Sequence, residues 1–475
     1  MYFIIFGILY VLVTIAAVLH VILYGSRPIR SLSWLLFLIL LPFIGILLYI
    51  LFGVSRRTNG LFNLKETRKR REYDEEHDKI NKVPDPITFQ DKKNKKLTKM
   101  LKKCTGYPAY SGNQVTVLEQ GKEMFETLFE ALENAEKFIH AHYYIFEKGE
   151  LLDRFYKIIK KKINEGVEVR LLFDAIGSYE LSRKTIKKFK DIGADIYTTM
   201  PLSYGSFIFT LNYRNHRKIL IIDGILGFTG GFNLSDKYIK KDDELGIWDD
   251  THCQIAGPVV DSLHRVFIKD YYFASDGEDL ANSKYLPEQE EKGDVAVQIV
   301  AAGPDSTYPA IMLQYITMID LADEYLFISN PYFIPNSAMM ESLRIAALSG
   351  TKIKILVPDQ TDSWLAKNSM FSNFEELLSI GIEIYLQESA FLHSKLIVMD
   401  GEIVSIGSGN FDHRSFEHNF ETNALIYDKE VTDSVCKSFL ESCKNGVKLE
   451  YETYINRPWK YKFSEGVARF FSPLL

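Results

Sequence analysis

The sequence predicts an α/β protein made of two halves of one kind behind an apolar N-terminal hairpin. Three observations predict it. A polar skeleton occurs twice, as HRKILIID…GGFN from His216 and HSKLIVMD…GSGN from His393. The helix–strand pattern around the first copy recurs around the second. Two long uncharged runs open the chain.

Residues 2–24 and 32–54 contain no Asp, Glu, Lys or Arg. Each run is long enough to cross a hydrocarbon core of about 30 Å as a helix. A cleaved signal peptide does not fit, because there is no positive n-region and the first run is too long. Pro42 and Gly45 interrupt the second run, and membrane helices tolerate such breaks as kinks or re-entrant turns. The loop between the runs holds only Arg27 and Arg30. The segment after them holds Arg56, Arg57, Lys65, Arg68, Lys69, Arg70 and Arg71. The excess of positive charge on the cytoplasmic side then puts both termini in the cytoplasm, with a multi-pass anchor in the cell membrane. Cys104, Cys253, Cys436 and Cys443 have no CxxC spacing. They read as reduced thiols, with no disulfide framework and no zinc site, which agrees with a reducing compartment.

Residues 56–105 are highly charged, with basic clusters at Arg68 and Lys92. They read as a solvated linker or as a segment lying on anionic headgroups. The acidic run EYDEEHD from Glu72 opposes uniform adhesion. The expected division is therefore a membrane hairpin at 1–55, a basic linker at 56–105, and two halves at 106–290 and 291–475. The net charge of −6 argues against a generic nucleic-acid binder, which usually carries a strongly basic domain.

Each half opens with an amphipathic helix and an apolar strand, from Glu123 and from Pro309. Phe138 and Ile139 align with Phe327 and Ile328. A further helix and a strand ending in Asp follow, at Asp174 and Asp359, and then the repeated block. Strands alternating with helices predict layers around a sheet.

Within the block, KILIID and KLIVMD read as buried strands closed by Asp-Gly hairpin turns. Residues two apart on a strand share a face. His216 and Lys218 therefore point together, as do His393 and Lys395. Asp223 and Asp400 have the opposite parity and are the turn residues, so closing the hairpin competes with any catalytic role. The return strand brings small residues and Asn233, Ser408 and Asn410 back beside the histidines. Lysine charge, amide donors and small residues suit a phosphate oxyanion. WDDT and NFET place Asp250 and Glu421 at matching positions. A carboxylate on one imidazole nitrogen fixes the tautomer and leaves the other nucleophilic. His140 and His142 alternate on the first strand of the repeat and are expected on opposite faces, one toward the site.

The doubled HxKxxxxD…G(S/G)xN pattern resembles the phospholipase D superfamily. SWLLFLILLPFIGILLYILFG, NYRNHRKI, NFDHRSFEHNFE and GVARFFSPLL further resemble the bacterial cardiolipin synthases, over essentially the whole chain. Gly231 departs from the superfamily pattern, where Ser is usual, and removes one hydroxyl donor. The resemblance implies two phospholipase D-like domains, each a mixed sheet flanked by helices, related by a pseudo-two-fold axis with one site between them. It implies transfer of a phosphatidyl group from one phosphatidylglycerol to another in the anionic bilayer. Glycerol is released, and a phosphatidyl-histidine is the intermediate. His216, Lys218, Asp223, His393, Lys395 and Asp400 would be catalytic, with His216 the nucleophile and His393 the acid and base. Asn233, Ser408, Asn410, Asp250 and Glu421 would bind substrate. No cofactor, metal or nucleic acid is implied. A hydrolase with water as acceptor, another phosphatidyltransferase, a nuclease of the same superfamily, against which the apolar runs and the acidic net charge count, and a non-catalytic membrane scaffold are the competing readings.

Overall fold

The computed structural model describes residues 2–24, 28–40, 42–49, 83–201, 212–241, 245–275 and 277–472. The N-terminal runs form α1 (Tyr2–Tyr24), α2 (Pro28–Leu40) and α3 (Pro42–Leu48). The second run does not continue as one straight helix. Trp34 and Tyr49 would stand about 22 Å apart on a single helix at about 1.5 Å per residue, yet their rings are 5.4 Å apart. A Cβ on Gly45 would meet the Phe37 carbonyl oxygen at 2.4 Å, so α3 folds back tightly on α2. The second run is therefore broken where Pro42 and Gly45 interrupt it and is not one spanning helix. Among the described residues no helix is long and apolar enough to cross a membrane. The α1 side chains at 2–4, 6–9 and 24 lie outside the described residues.

Of the expected linker, residues 56–82 lie outside the described residues. Its last part is a docked helix, α4 (Lys92–Thr105), rather than a solvated linker. Asp91 caps its first turn through the Asn94 N–H, and Gly106 ends it in the left-handed region at φ 83°. Leu97 and Leu101, one turn apart, are fully buried in the core of the second half. The lysines take the other faces.

The first half contains β1 (Ala109–Leu118), α5 (Gly121–Glu133), β2 (Phe138–Tyr143), α6 (Glu150–Asn164), β3 (Glu168–Asp174), α7 (Arg183–Asp191), β4 (Asp195–Thr199), β5 (Arg214–Asn215), β6 (Ile219–Ile222), β7 (Leu226–Gly230), β8 (Trp248–Asp249), β9 (His252–Ala256) and α8 (Val259–Ala274). The second contains β10 (Val295–Ala302), α9 (Ala310–Leu321), β11 (Tyr325–Ser329), α10 (Ser337–Leu348), β12 (Lys352–Pro358), α11 (Trp364–Phe371), α12 (Phe374–Ser379), β13 (Glu383–Gln387), β14 (Phe391–Leu392), β15 (Leu396–Met399), β16 (Ile403–Gly407), α13 (His413–Glu417), β17 (Asn419–Tyr427) and α14 (Lys429–Asn445). After them come β18 (Val447–Lys448), α15 (Tyr451–Ile455) and α16 (Trp459–Phe471).

Strand order is the same in both halves. It runs β1-β9-β7-β6-β2-β3-β4 in the first and β10-β17-β16-β15-β11-β12-β13 in the second. Parallel strands β2, β3 and β4 are followed across the sheet by antiparallel hairpin strands, so each sheet is mixed. Helical stripes cover the faces. On α6, Leu151, Leu152, Phe155, Ile158 and Ile159 point inward at helical spacing. The two sheets meet at β1. Its first residues pair with β10 and its last five with β9. The switch occurs at a bulge beside Gly112, whose φ of 81° favours glycine. Helices α8 and α14 pack in one apolar layer shared by both sheets, through Leu263, Phe267, Val435 and Phe439.

Asp223 and Asp400 set the register of the repeat. Both are turn residues in the left-handed region, at φ 54° and 52°, each followed by a left-handed glycine. Asp223 accepts from the N–H groups of Glu136, Lys137 and Phe138. Asp400 accepts from those of Asp323, Glu324 and Tyr325. Phe138 is therefore equivalent to Tyr325, not to Phe327. The repeat is offset by two residues from the sequence alignment, which leaves the face of every side chain unchanged.

His140 and His142 share one face, as residues two apart must, and neither lines the cleft described below. His140 Nδ1 lies 2.8 Å from His264 Nε2, and His142 Nδ1 lies 3.5 Å from Asp270 on the same helix, α8. These three and His252 are fully buried. Burial holds His142 down to about 4, and His252 and His264 to about 3. The unfolded chain binds these protons near pH 6.5 and the folded chain does not, so this stability is present above that pH and is lost as pH falls. We predict a thermal midpoint that drops between pH 6.5 and 4.5, above the range where ordinary exposed carboxylates titrate. His252→Asn, which installs the residue found at the equivalent Asn423, should flatten the drop. A flat midpoint in the unsubstituted protein would contradict this account.

Candidate active site

Two short parallel strand pairs cross between the halves and build the site. Strand β5 pairs with the start of β17, Arg214 opposite Asn419 and Asn215 opposite Phe420. The next residue, His216, donates its backbone N–H to the Phe420 carbonyl at 2.9 Å. Strand β14 pairs in the same way with β8, and His393 donates to the Asp249 carbonyl at 2.6 Å. In both cases the residue after the accepting carbonyl is a carboxylate, Glu421 or Asp250. His216 Nδ1 lies 3.1 Å from Glu421 Oε2, and His393 Nδ1 lies 2.5 Å from Asp250 Oδ2. Each half thus supplies the carboxylate for the histidine of the other.

The pairing fixes the tautomer of His216. His216 Nδ1 faces two acceptors, Glu421 Oε2 and the Ser408 carbonyl at 3.2 Å, so Nδ1 carries the hydrogen and Nε2 carries the lone pair. Burial lowers the affinity of His216 for a second proton, against the attraction of Glu421. Burial and the nearby Lys395 and Lys218 push His393 well below the ordinary histidine value.

The two carboxylates are held differently. Burial would raise Glu421, but His216, Lys218 and Ser408 more than offset it and keep it low. Ser408 donates to Glu421 at 2.6 Å, Ser415 at 3.0 Å and the Asn419 amide at 3.2 Å. Burial does raise Asp250, despite Lys395 at 3.5 Å and the Thr251 N–H at 2.8 Å. Gly231 occupies the place of Ser408, and a Cβ there would lie 1.8 Å from Asp250 Oδ1. The missing serine is therefore the space Asp250 fills.

Lys218 and Lys395 are buried and donate to the carbonyls of His216 and His393, the first at 2.7 Å. Lys395 Nζ also lies 2.8 Å from His393 Nδ1. Burial lowers both amines, Lys218 to about 7. Beside the two histidines opens a cleft of about 300 Å³ lined by His216, His393, Asn233 and Asn410, with the two lysines buried behind it rather than lining it. Asn233 spends its carbonyl oxygen on the Ile145 N–H at 3.2 Å, whereas Asn410 Oδ1 has no hydrogen-bond partner among the described residues.

Several expected site residues are placed elsewhere. Asp223 and Asp400 cap backbone at the far ends of β6 and β15, about 20 Å of strand from the histidines. Asp250, Glu421 and Ser408 contact histidine or carboxylate rather than lining the cleft. Sequence reasoning missed Tyr144, Tyr332, Trp248, Asp412, Arg214 and Arg414, which do line it. Tyr144 packs edge-on to His216 at 4.7 Å, and burial pushes Asp412 up to about 6. The signal for Asp412 and Arg414 was present in NFDHRS, directly after Asn410. Arg217, the middle residue of the first His-x-Lys, binds Asp270 at 2.7 Å and reaches the Ala302 and Glu421 carbonyls of the second half.

The crossed pairing predicts the response of nitrogen-15 histidine signals. Glu421→Gln should shift His216 and leave His393 unchanged. Asp250→Asn and Gly231→Ala should shift His393 alone, the alanine by displacing Asp250. Shifts confined to the histidine of the same half would contradict the crossing.

The family model described as cardiolipin synthase, PLD-like domain, matches residues 128–271 and 315–443, one segment in each half. The model described as phospholipase D-nuclease N-terminal matches residues 12–53. A cardiolipin synthase of Geobacillus thermodenitrificans (strain NG80-2) is 36% identical over 459 residues, covering 95% of this chain and 90% of the relative. Cardiolipin synthase 2 of Staphylococcus epidermidis (strain ATCC 35984) is 36% identical over 448 residues, covering 93% and 92%. The crystal structure of phosphatidylserine synthase from Haemophilus influenzae Rd KW20 superposes with a TM-score of 0.60 at 15% identity, over 80% of this chain and 99% of that one, a likeness of fold. The doubled block, the repeated strand order and these relatives lead to one assignment: the chain belongs to the cardiolipin synthase family of phospholipase D-like enzymes.

Proposed function

We propose that the protein joins two phosphatidylglycerol molecules into cardiolipin and glycerol. The observation that carries this reading is the crossed pair of histidines, both facing one cleft with Nδ1 committed to a carboxylate. Phosphodiester exchange needs a nucleophile and an acid on opposite sides of one phosphorus, and two copies of a strand-borne histidine supply them.

In the first step His216 Nε2 attacks the phosphorus of one phosphatidylglycerol. The phosphorus–oxygen bond to the headgroup glycerol breaks, and His393 gives that oxygen its proton. In the second step the terminal hydroxyl of another phosphatidylglycerol gives its proton to His393 and attacks the phosphatidyl-histidine. His216 leaves, and the diester bond energy is conserved throughout. Lys218, Lys395 and Asn410 stabilise the phosphoryl oxygens as charge spreads over them. Asp250 and Glu421 hold the imidazoles, and Ser408 holds Glu421. Asp223 and Asp400 hold the hairpins, and Asp400 also binds Lys93 of α4.

The N-terminal segment serves as the membrane anchor in this reading. Helix α1 has 23 residues and rises about 35 Å at about 1.5 Å per residue. The folded-back α2–α3 pair would enter the membrane from the side of the catalytic halves. The basic residues from Arg56 to Arg71 favour the cytoplasmic face for those halves. Residues 106–290 and 291–475 form the two catalytic halves, with α4 belonging to the second.

Mass spectrometry of products from phosphatidylglycerol micelles tests the reaction. Cardiolipin plus glycerol is expected, falling by about 10³-fold or more in His216→Ala and in His393→Ala. Phosphatidic acid as the main product would make the enzyme a hydrolase.

The pH dependence follows from the histidines. His393 is depressed in the empty cleft, so the acid must gain its proton as the substrate anion enters. Productive binding therefore takes up one proton, and kcat/KM should fall about tenfold per pH unit on the alkaline side. Activity should also fall in acid, where His216 is protonated. A kcat/KM that rises with pH throughout would overturn the assignment of a protonated histidine as acid.

A further inference from the structure

The C-terminal helix α16 is amphipathic in the wrong direction for a soluble surface. Its inward face carries Ala468 and Glu465, both buried. Trp459, Phe463, Val467 and Phe470, spaced along one stripe, face outward. Trp459 is 76% exposed, Phe463 65% and Phe470 70%. Lys460 and Lys462 flank the stripe and are exposed.

The helix is not loosely attached. Ser369 of α11 donates to the Ala468 carbonyl at 3.0 Å, and Ser464 donates to Asn368 at 2.8 Å. Arg469 reaches the Ser372 carbonyl, and buried Glu465 pairs with Arg457 at 2.6 Å. The outward stripe is therefore held in place by polar anchors behind it. Trp364, at the start of α11, is 60% exposed. Outside the N-terminal hairpin, seven aromatic side chains are exposed among the described residues, and five of them lie on α11 and α16.

Two further observations say what meets this face. Phe471 packs on Phe37 of α2 at 5.9 Å, so the stripe continues directly from the apolar N-terminal hairpin. Asp362, Ser363 and Ala366, on either side of Trp364, line the cleft. Aromatic side chains flanked by lysines suit the boundary between acyl chains and anionic headgroups.

We propose that the outward face of α16, with Trp364 of α11, rests on an anionic phospholipid bilayer and holds the cleft mouth against it. This rests on the reading of the substrate as a membrane lipid. The halves are then not tethered at random below the membrane; they are seated in one orientation, and a phospholipid headgroup enters the cleft without the whole lipid leaving the bilayer.

The test uses the full chain in vesicles of phosphatidylglycerol and phosphatidylcholine containing brominated acyl chains. Brominated lipid should quench the tryptophan emission, and Trp459→Phe should remove part of that quenching. Aqueous iodide should not reach Trp459. Phe463→Ser/Phe470→Ser, both at exposed positions, should raise the apparent KM for phosphatidylglycerol in vesicles about tenfold. The same variant should leave turnover of monomeric short-chain phosphatidylglycerol unchanged. Trp459 quenched by iodide and not by brominated lipid would overturn the proposal. So would protection from both, which would mean that protein and not lipid covers the stripe. A dimer in detergent that Phe463→Ser/Phe470→Ser dissociates would assign the stripe to a second copy and overturn it likewise. Should that variant fail to fold, the quenching difference between the unsubstituted protein and Trp459→Phe decides alone. If lipid quenches Trp459 but no cardiolipin forms from either substrate, the seating stands and the reading of the reaction fails.

Discussion

Everything in the site depends on one exchange: each histidine takes its carboxylate from the opposite half. A two-residue parallel strand pair sets it up on each side, and the histidine backbone N–H secures it. Neither half can position its own imidazole alone. The shared apolar layer of α8 and α14, the switch of β1 between sheets and the Arg217 clamp to Ala302 and Glu421 all serve to hold the two halves in that one relation. A small rotation between the halves would break both imidazole–carboxylate contacts together.

The halves are alike in topology but not in detail. The Glu421 carboxylate is long, and three side-chain donors besides His216 hold it. The Asp250 carboxylate is shorter and occupies the space left by a glycine. His216 therefore faces a carboxylate kept firmly ionised, whereas His393 faces one raised by burial and sits closer to lysine charge. Such a difference is what two chemical roles on one pseudo-symmetric frame require. It accords with His216 as nucleophile and His393 as the group that carries the proton.

Much of this was legible in the sequence because strand parity is strict. Pairing His216 with Lys218 on one face, and placing Asp223 and Asp400 in Asp-Gly turns, needed only the period of two. The turn geometry then gives both aspartates one structural role: their carboxylates cap the amides that begin β2 and β11. What the sequence could not display was the partner across the halves. Asp250 and Glu421 stood at matching positions, but nothing in one dimension says that each serves the other copy. Ser408 looked like a phosphate donor because its commitment to Glu421 is a three-dimensional fact. Helix α4 read as linker because its lysines outnumber the fully buried Leu97 and Leu101. The second apolar run read as a span interrupted at Pro42 and Gly45, because hydropathy does not register how tightly Gly45 lets the chain fold back against Phe37.

The most direct test of a single site built from both halves is the stoichiometry of the covalent intermediate. The enzyme would be denatured rapidly during turnover of phosphatidylglycerol, digested, and its histidine peptides weighed. The account predicts at most one phosphatidyl group per chain, on His216, at any substrate concentration. Two groups on one chain, on His216 and His393 together, would mean two independent sites and would contradict it.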